Sequence, residues 1–259
     1  MTIDYQTHRE MKILKKNFSD VIHNYFMSSF RFKQFTILHD KSSMKVGTDA
    51  VLLGAWAEAE NVSRILDIGS GSGIISLMMA QRTAAQIVGV DIDFSSVEEA
   101  RLNAENSVWK NRIQFHCTTI QQFCTAENRN LFDLIVSNPP FFVNSLKSPV
   151  ENRNRSRHTD TLTFNDLVNA VLHCLAENGS FAVILPYIHG EQMENLCRQN
   201  DLFCYRKLQI CPKEGKEVNR VLLQFKRKKE PLYQANLTIR YITNCYTDDY
   251  KKLTKAFYL

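Results

Sequence analysis

From Arg64 to Gln199 the sequence alternates short apolar runs with stretches of helical period, and this alternation limits the possible folds more than any other feature. Ile65-Leu66-Asp67-Ile68 is too short for a helix and almost wholly apolar, and similar runs lie at residues 86–91, 113–117, 132–136 and 180–185. Between them, helical patterns cover 74–81, 95–108, 165–176 and 191–199. Strands that are apolar on both faces and separated by helices predict a parallel sheet covered on each side. The tail departs from that rule. Runs at 202–210 and 218–225 are joined by residues 211–217, which carry Pro212 and Gly215 and leave no room for a helix. So short a link makes antiparallel neighbours, and the last strand is expected to enter the sheet reversed. Residues 237–240 predict an added edge strand and 248–258 a terminal helix.

Local signals suggest where the elements begin and end. Thr48 or Asp49 is expected to cap a helix over 50–57, since either side chain accepts from free N–H groups. Ser95 with Glu98 three residues later reads as a capping box, and Asn178-Gly179 as a helix stop. Residues 1–29 are mixed polar and aromatic and predict an extension, helical around 18–26, ahead of a single domain over 30–259. A chain of 259 residues, 44% of them hydrophobic, suffices for one substantial core.

Some functional classes are disfavoured. Seven cysteines without a C-x-x-C pair predict reduced thiols and neither a zinc site nor any other metal. No apolar run approaches the ~20 residues of a membrane span, and the N-terminus lacks the apolar core of a signal peptide, so a soluble, cytoplasmic protein is expected. The net charge of +5 permits an anionic partner without requiring one.

Two turns carry the chemistry. Gly69, Gly71 and Gly73 follow a strand and open a helix, as a nucleotide-binding turn does, and glycine lets a ligand approach the backbone closely. The dinucleotide fingerprint wants glycine at position 74, which is Ile74, and the Asp67 carboxylate would repel a pyrophosphate. Asp91, about twenty residues on, stands where an acid accepts from ribose hydroxyls. A nucleoside with a cationic, amino-acid-like tail fits this pattern, and S-adenosylmethionine is the expected cofactor. The second turn, Asn138-Pro139-Pro140-Phe141, ends the apolar run of 132–136. Two prolines stop the strand, hold the Asn138 amide at the carboxyl edge of the sheet where ligands bind, and place an aromatic ring beside it. This is a device for gripping a planar amine. By itself each turn has blander readings, as another nucleotide site or as a strand cap.

In this order and spacing, Asp67-Ile68-Gly69-Ser70-Gly71-Ser72-Gly73, Val90-Asp91-Ile92-Asp93 and Asn138-Pro139-Pro140-Phe141 resemble the class I S-adenosylmethionine-dependent methyltransferases that act on exocyclic amino groups. The resemblance implies an α/β, Rossmann-like fold with a seven-stranded, mostly parallel sheet whose last strand is antiparallel. Phe32-Lys33-Gln34-Phe35, Met44-Lys45-Val46-Gly47-Thr48-Asp49, Leu53-Gly54-Ala55-Trp56, Arg220-Val221-Leu222-Leu223 and Ala256-Phe257-Tyr258-Leu259 look more narrowly like the tRNA adenine-N6 methyltransferases that modify the adenosine 3′ of the anticodon in valine tRNA. One departure is Thr118-Thr119-Ile120, where the related enzymes usually have an acid near the cofactor's adenine. A threonine hydroxyl still accepts a hydrogen bond.

The resemblance implies roles for particular residues. Asn138, Pro139, Pro140 and Phe141 would hold and stack the target base. Lys45, Gly47, Thr48, Asp67, Gly69, Ser70, Gly71, Asp91, Ile92, Thr119, Ile120 and Asn138 would line the cofactor site. Lys33 and the loop residues Arg153, Arg155 and Arg157 are expected to bind RNA, with Arg31, Phe30, Phe32 and Phe35 completing a stacking patch beside Lys33 and Lys226 to Lys229 forming a third basic run. The expected partner is a valine tRNA, met by a monomer. The alternatives are methylation of adenine in ribosomal RNA or DNA, methylation of a protein glutamine amide, and a cofactor-binding RNA module without catalysis.

Overall fold

The computed structural model describes residues 28–42, 45–140 and 162–258. In chain order the elements are β1 (Ser29–Arg31), β2 (Thr36–Leu38), α1 (Thr48–Trp56), β3 (Arg64–Ile68), α2 (Ile74–Arg82), β4 (Gln86–Asp91), α3 (Phe94–Glu105), β5 (Ile113–Cys117), α4 (Ile120–Phe123), β6 (Phe132–Ser137), α5 (Phe164–Cys174), β7 (Leu175–Pro186), α6 (Gly190–Gln199), β8 (Phe203–Cys211), β9 (Arg220–Lys226), β10 (Tyr233–Thr238) and α7 (Asp248–Thr254). The expected helix around 18–26 lies outside the described residues, as do Met44, Phe141, Arg153, Arg155 and Arg157.

The main sheet has the order β10-β8-β9-β7-β6-β3-β4-β5. It contains the seven expected strands and the edge strand of the tail, which spans Tyr233–Thr238 rather than 237–240. Strand β9 is antiparallel to both neighbours, β7 and β8, and every other pairing in the sheet is parallel. The short 212–219 link makes it so. Alternation along each strand divides the core between the two faces. Ile65, Leu134, Val136, Ala182, Ile184 and Leu222 pack toward α1, α2 and α3, while Leu66, Ile68, Ile135, Phe181, Val183 and Leu223 pack toward α5 and α6.

From β3 the chain proceeds to β4 and β5 on one side, then returns to β6 on the other. β3 and β6 therefore border the point where strand order reverses, and ligands of open α/β sheets bind at the carboxyl ends of such strands. Ile68 pairs with Ser137 at those ends. The glycine turn and Asn138 are the next residues on either strand.

Four boundaries differ from the sequence reading. Helix α1 is capped by Gly47 without a side-chain bond, because Asp49 in its first turn is paired with Arg220 at 2.8 Å. Helix α3 is capped by Asp93, not by Ser95: the Asp93 carboxylate accepts from the N–H and hydroxyl of Ser96 at 2.9 and 2.7 Å. A carboxylate at a helix N-terminus gains from the backbone dipole as well as the hydrogen bond. Asn178-Gly179 does not stop a helix; α5 has already ended at Cys174 and β7 begins at once. Gly179 instead admits the β6 backbone, since a Cβ there would lie 2.9 Å from the Phe132 carbonyl oxygen. The terminal helix ends at Thr254, and the residues beyond it dock on the β1–β2 hairpin.

Candidate methyl-transfer site

The turn after β3 needs its glycines. Gly69, Gly71 and Gly73 have φ of 73°, 52° and 81°, in the left-handed region that side chains disfavour. The N–H groups of Gly69 and Ser70 donate to the Val90 carbonyl at 2.8 and 3.2 Å, so the turn rests on the end of β4. A Cβ on Gly73 would meet the Phe115 ring at 2.7 Å, whereas Cβ atoms on Gly69 and Gly71 would meet nothing within 4 Å. The turn is thus packed behind and open in front. Asp91 braces it: one carboxylate oxygen accepts from Gly71 N at 2.9 Å and the other from Asp93 N at 2.9 Å. Each oxygen keeps a further lone pair for a ligand.

Buried polar groups are normally satisfied, so unpaired ones point to a ligand or to strain. Among the described residues, five buried side-chain atoms have no hydrogen-bond partner, and three of them stand here: Asp67 Oδ1, Ser70 Oγ and Asn138 Oδ1. Asp67 is fully buried, with Oδ2 accepting from the Ser76 N–H and hydroxyl at 3.1 and 2.7 Å. Burial pushes its carboxyl up to about 7; the Ser76 hydrogen bonds oppose the rise and the nearby Asp91 adds to it. Across the strand pair, Ser137 donates to the Ile68 carbonyl at 2.8 Å, and Asn138 follows with its side chain buried.

Three loops carry the other residues expected at the site. Ile92 is half-exposed beside Asp91. Thr118 N donates to the Asp91 carbonyl at 3.0 Å, which brings the Thr118-Thr119 segment to the same rim. Thr119 caps α4 by accepting from Gln122 N at 3.2 Å, and Ile120 is buried behind it. On the other side Lys45, Gly47 and Thr48 lead into α1, with Val46 N donating to His39 Nδ1 at 3.0 Å.

A family profile described as a methyltransferase domain matches residues 60–236. A tRNA1(Val) (adenine(37)-N6)-methyltransferase of Phocaeicola vulgatus is 46% identical over 230 residues, 89% of this chain and 97% of that protein. One of the same name from Haemophilus influenzae is 43% identical over 235 residues, 90% of this chain and 99% of its own. This chain belongs to the tRNA1(Val) (adenine(37)-N6)-methyltransferase family. Two solved structures support the fold alone. A predicted O-methyltransferase from Agrobacterium tumefaciens superposes with a TM-score of 0.66 at 18% identity, covering 81% of this chain and 96% of that one. A SAM-dependent methyltransferase from the same organism gives 0.54 at 14%, covering 78% and 70%.

Of the three basic segments singled out in the sequence of this member of the methyltransferase family, two lie among the described residues. Lys33 lies on the β1–β2 hairpin, where its ammonium donates to the Lys255 carbonyl at 2.8 Å and its N–H to the Phe257 carbonyl at 2.8 Å. Phe32 and Phe35 are buried, and Phe32 stacks on Tyr258 at 5.8 Å, so these rings serve the core and offer no platform to RNA bases. The run Lys226 to Lys229 is also misplaced for RNA beside the site. Because β9 runs antiparallel, Arg220 stands at the carboxyl rim and Lys226 at the opposite edge, about 20 Å away.

Sequence reasoning missed Glu99 and Asn103 of α3. Both are buried, and both bond the backbone that leads into the Lys45–Thr48 segment. Among the described residues no group of three His, Cys, Asp or Glu could hold a metal, and no helix is long and apolar enough to cross a membrane.

Proposed function

We propose that the protein transfers a methyl group from S-adenosylmethionine to the exocyclic N6 of an adenosine in tRNA, the one next to the anticodon of a valine tRNA. The observation that carries this reading is the buried, unpartnered amide oxygen of Asn138, one residue beyond the strand pair that opens the glycine turn. The names of the family's members supply the substrate.

The residues present fit the cofactor. Asp67 Oδ1 and Ser70 Oγ are buried acceptors without partners beside an open glycine turn, suited to an ammonium group and a close backbone approach. Asp91 keeps lone pairs for ribose hydroxyls. Ile92 and Ile120 give apolar cover for adenine, and the Thr119 hydroxyl, with one lone pair committed to Gln122 N, keeps its proton and its other lone pair for the base. Lys45, Gly47 and Thr48 hold the methionine end. When bound, S-adenosylmethionine supplies an electrophilic methyl group on a sulfonium.

Asn138 acts on the other reactant. The adenine N6 lone pair is delocalised into the ring, which makes the planar amine a poor nucleophile. With one N6 hydrogen donated to Asn138 Oδ1 and the other to the Pro139 carbonyl, the nitrogen is held and freed to pyramidalise. Positioning then does most of the work, and no strong base is needed: the sulfonium would leave as the thioether S-adenosylhomocysteine, and the methylated nitrogen, now cationic and acidic, loses one proton to solvent or a carbonyl. Phe141 stacks on the base after it leaves its neighbours in the anticodon loop, and Arg153, Arg155 and Arg157 grip the adjoining phosphates. The protein acts as a cytoplasmic monomer. The test is nucleoside mass spectrometry of valine tRNA incubated with cofactor, with and without the protein: N6-methyladenosine should appear at the position beside the anticodon, and its absence would refute the proposal.

A further inference from the structure

We propose that Glu99 and Asn103 are positioning residues for the cofactor, acting through the strap of backbone that carries Lys45, Gly47 and Thr48. The proposal rests on the functional reading above, in which that segment holds the methionine end.

The two residues are four apart on α3 and therefore share a face. Each is 1% exposed. Glu99 accepts from Lys41 N with one carboxylate oxygen and from Ser42 N with the other, both at 2.9 Å. Asn103 accepts from Leu38 N at 2.8 Å and donates through Nδ2 to the Leu38 and Ser72 carbonyls, both at 2.9 Å. One side-chain amide thus joins the end of β2 to the glycine turn itself. His39 adds a third fixed point by accepting from Val46 N.

Among the described residues these side chains hold the strap from the α3 side, while on its other side the Ser28 carbonyl accepts from His39 N at 3.2 Å and the Ser28 N–H and hydroxyl donate to the Asp40 carboxylate at 2.6 and 2.5 Å. A buried carboxylate is a costly way to hold a loop unless every lone pair it turns inward is used. Here both oxygens are met by backbone N–H groups presented side by side, which a packed apolar residue could not reproduce. Helix α3 also starts just after Asp91 and is capped by Asp93, whose own N–H donates to Asp91. The same helix therefore references the ribose-binding acid, the glycine turn and the strap to one another.

The test is calorimetric titration of S-adenosylhomocysteine into wild type, Glu99→Gln and Asn103→Ala, with amide hydrogen exchange at Leu38, Lys41 and Ser42. Glu99→Gln is nearly isosteric but replaces one acceptor with a donor aimed at an N–H. It should raise the Kd about tenfold, speed exchange at Lys41 and Ser42, and raise the cofactor KM while kcat at saturation stays within about twofold. Asn103→Ala should do the same with exchange rising at Leu38; if that variant fails to fold, the Glu99→Gln result decides. An unchanged Kd in Glu99→Gln overturns the proposal whatever the exchange rates show. A wild-type protein that does not bind S-adenosylhomocysteine counts instead against the functional reading.

Discussion

Ser137 donates its hydroxyl proton to the Ile68 carbonyl at 2.8 Å, joining the residue before Asn138 to the residue before the glycine turn. Both partners are buried, and Ile68 and Ser137 are also Cα partners in the parallel ladder. The bond fixes how far the Asn138 amide stands from Gly69. Ser137→Ala leaves the carbonyl short of one donor and should cost about 1 kcal/mol, a fall in Tm of about 2–4 °C for a chain of this size. If the bond positions Asn138, kcat should drop further than this stability loss explains, by about tenfold, with the cofactor Kd unaltered. Thermal melts and steady-state kinetics on one preparation check both parts.

Asn138→Ala removes the acceptor without touching the glycine turn. Transfer should fall by at least about 100-fold, while S-adenosylhomocysteine binds within about threefold of wild type. Single-turnover transfer beside calorimetric binding is the appropriate pair of measurements. A variant that retains full transfer would remove Asn138 from the mechanism.

The buried Asp67 carboxyl links the site to pH. Its ordinary value is 3.8, and burial pushes it up to about 7. The folded chain therefore holds this proton more tightly than the unfolded chain. The protonated form's contribution is fully present below about pH 4, is lost as pH rises toward 7, and changes no further above it. Asp67→Asn removes the penalty. The ligand-free variant should gain stability over wild type as pH rises from 4 to 7, by an amount on the order of 4 kcal/mol at most, with no gain below pH 4. Cofactor binding should move oppositely. If the ionised carboxylate receives the ammonium group, affinity rises as pH approaches 7 from below and binding releases a proton. Calorimetry in buffers of different ionisation enthalpy measures that proton directly.

Much of this architecture was legible in the sequence because its signals are local. The apolar run of β3 and the three glycines with positive φ announce a strand and an open turn within ten residues, and Pro139-Pro140 must end β6 wherever the rest of the chain goes. Features that depend on distant partners were not legible. Glu99 and Asn103 sit in mid-helix like ordinary solvated residues, and only the fold reveals their bonds to backbone 57 to 65 positions away. Phe32 looked like a stacking platform for RNA because nothing nearby in sequence shows that Tyr258 stacks on it. Asp93 outcompeted Ser95 as the cap because Asp91, itself bracing the glycine turn, holds the Asp93 N–H. That constraint comes from the site, not from helix propensity.

The direction of β9 gives a control for RNA binding. It carries Arg220 to the rim of the site and leaves the exposed Lys228 and Lys229 past its other end, where Arg227 is occupied with the Leu172 carbonyl. Charge reversal at Lys228 and Lys229 should therefore leave tRNA affinity and its salt dependence unchanged. Replacing Arg153, Arg155 and Arg157 with alanine should weaken binding. Each phosphate left without its arginine should lower the slope of log K against log salt by about 0.7 to 0.9, so the triple variant predicts a change of about 2 to 3. Filter-binding or fluorescence titrations over a range of salt concentrations measure both slopes. Equal weakening in the two variants would show that general positive charge, and not Arg153, Arg155 and Arg157 in particular, attracts the tRNA.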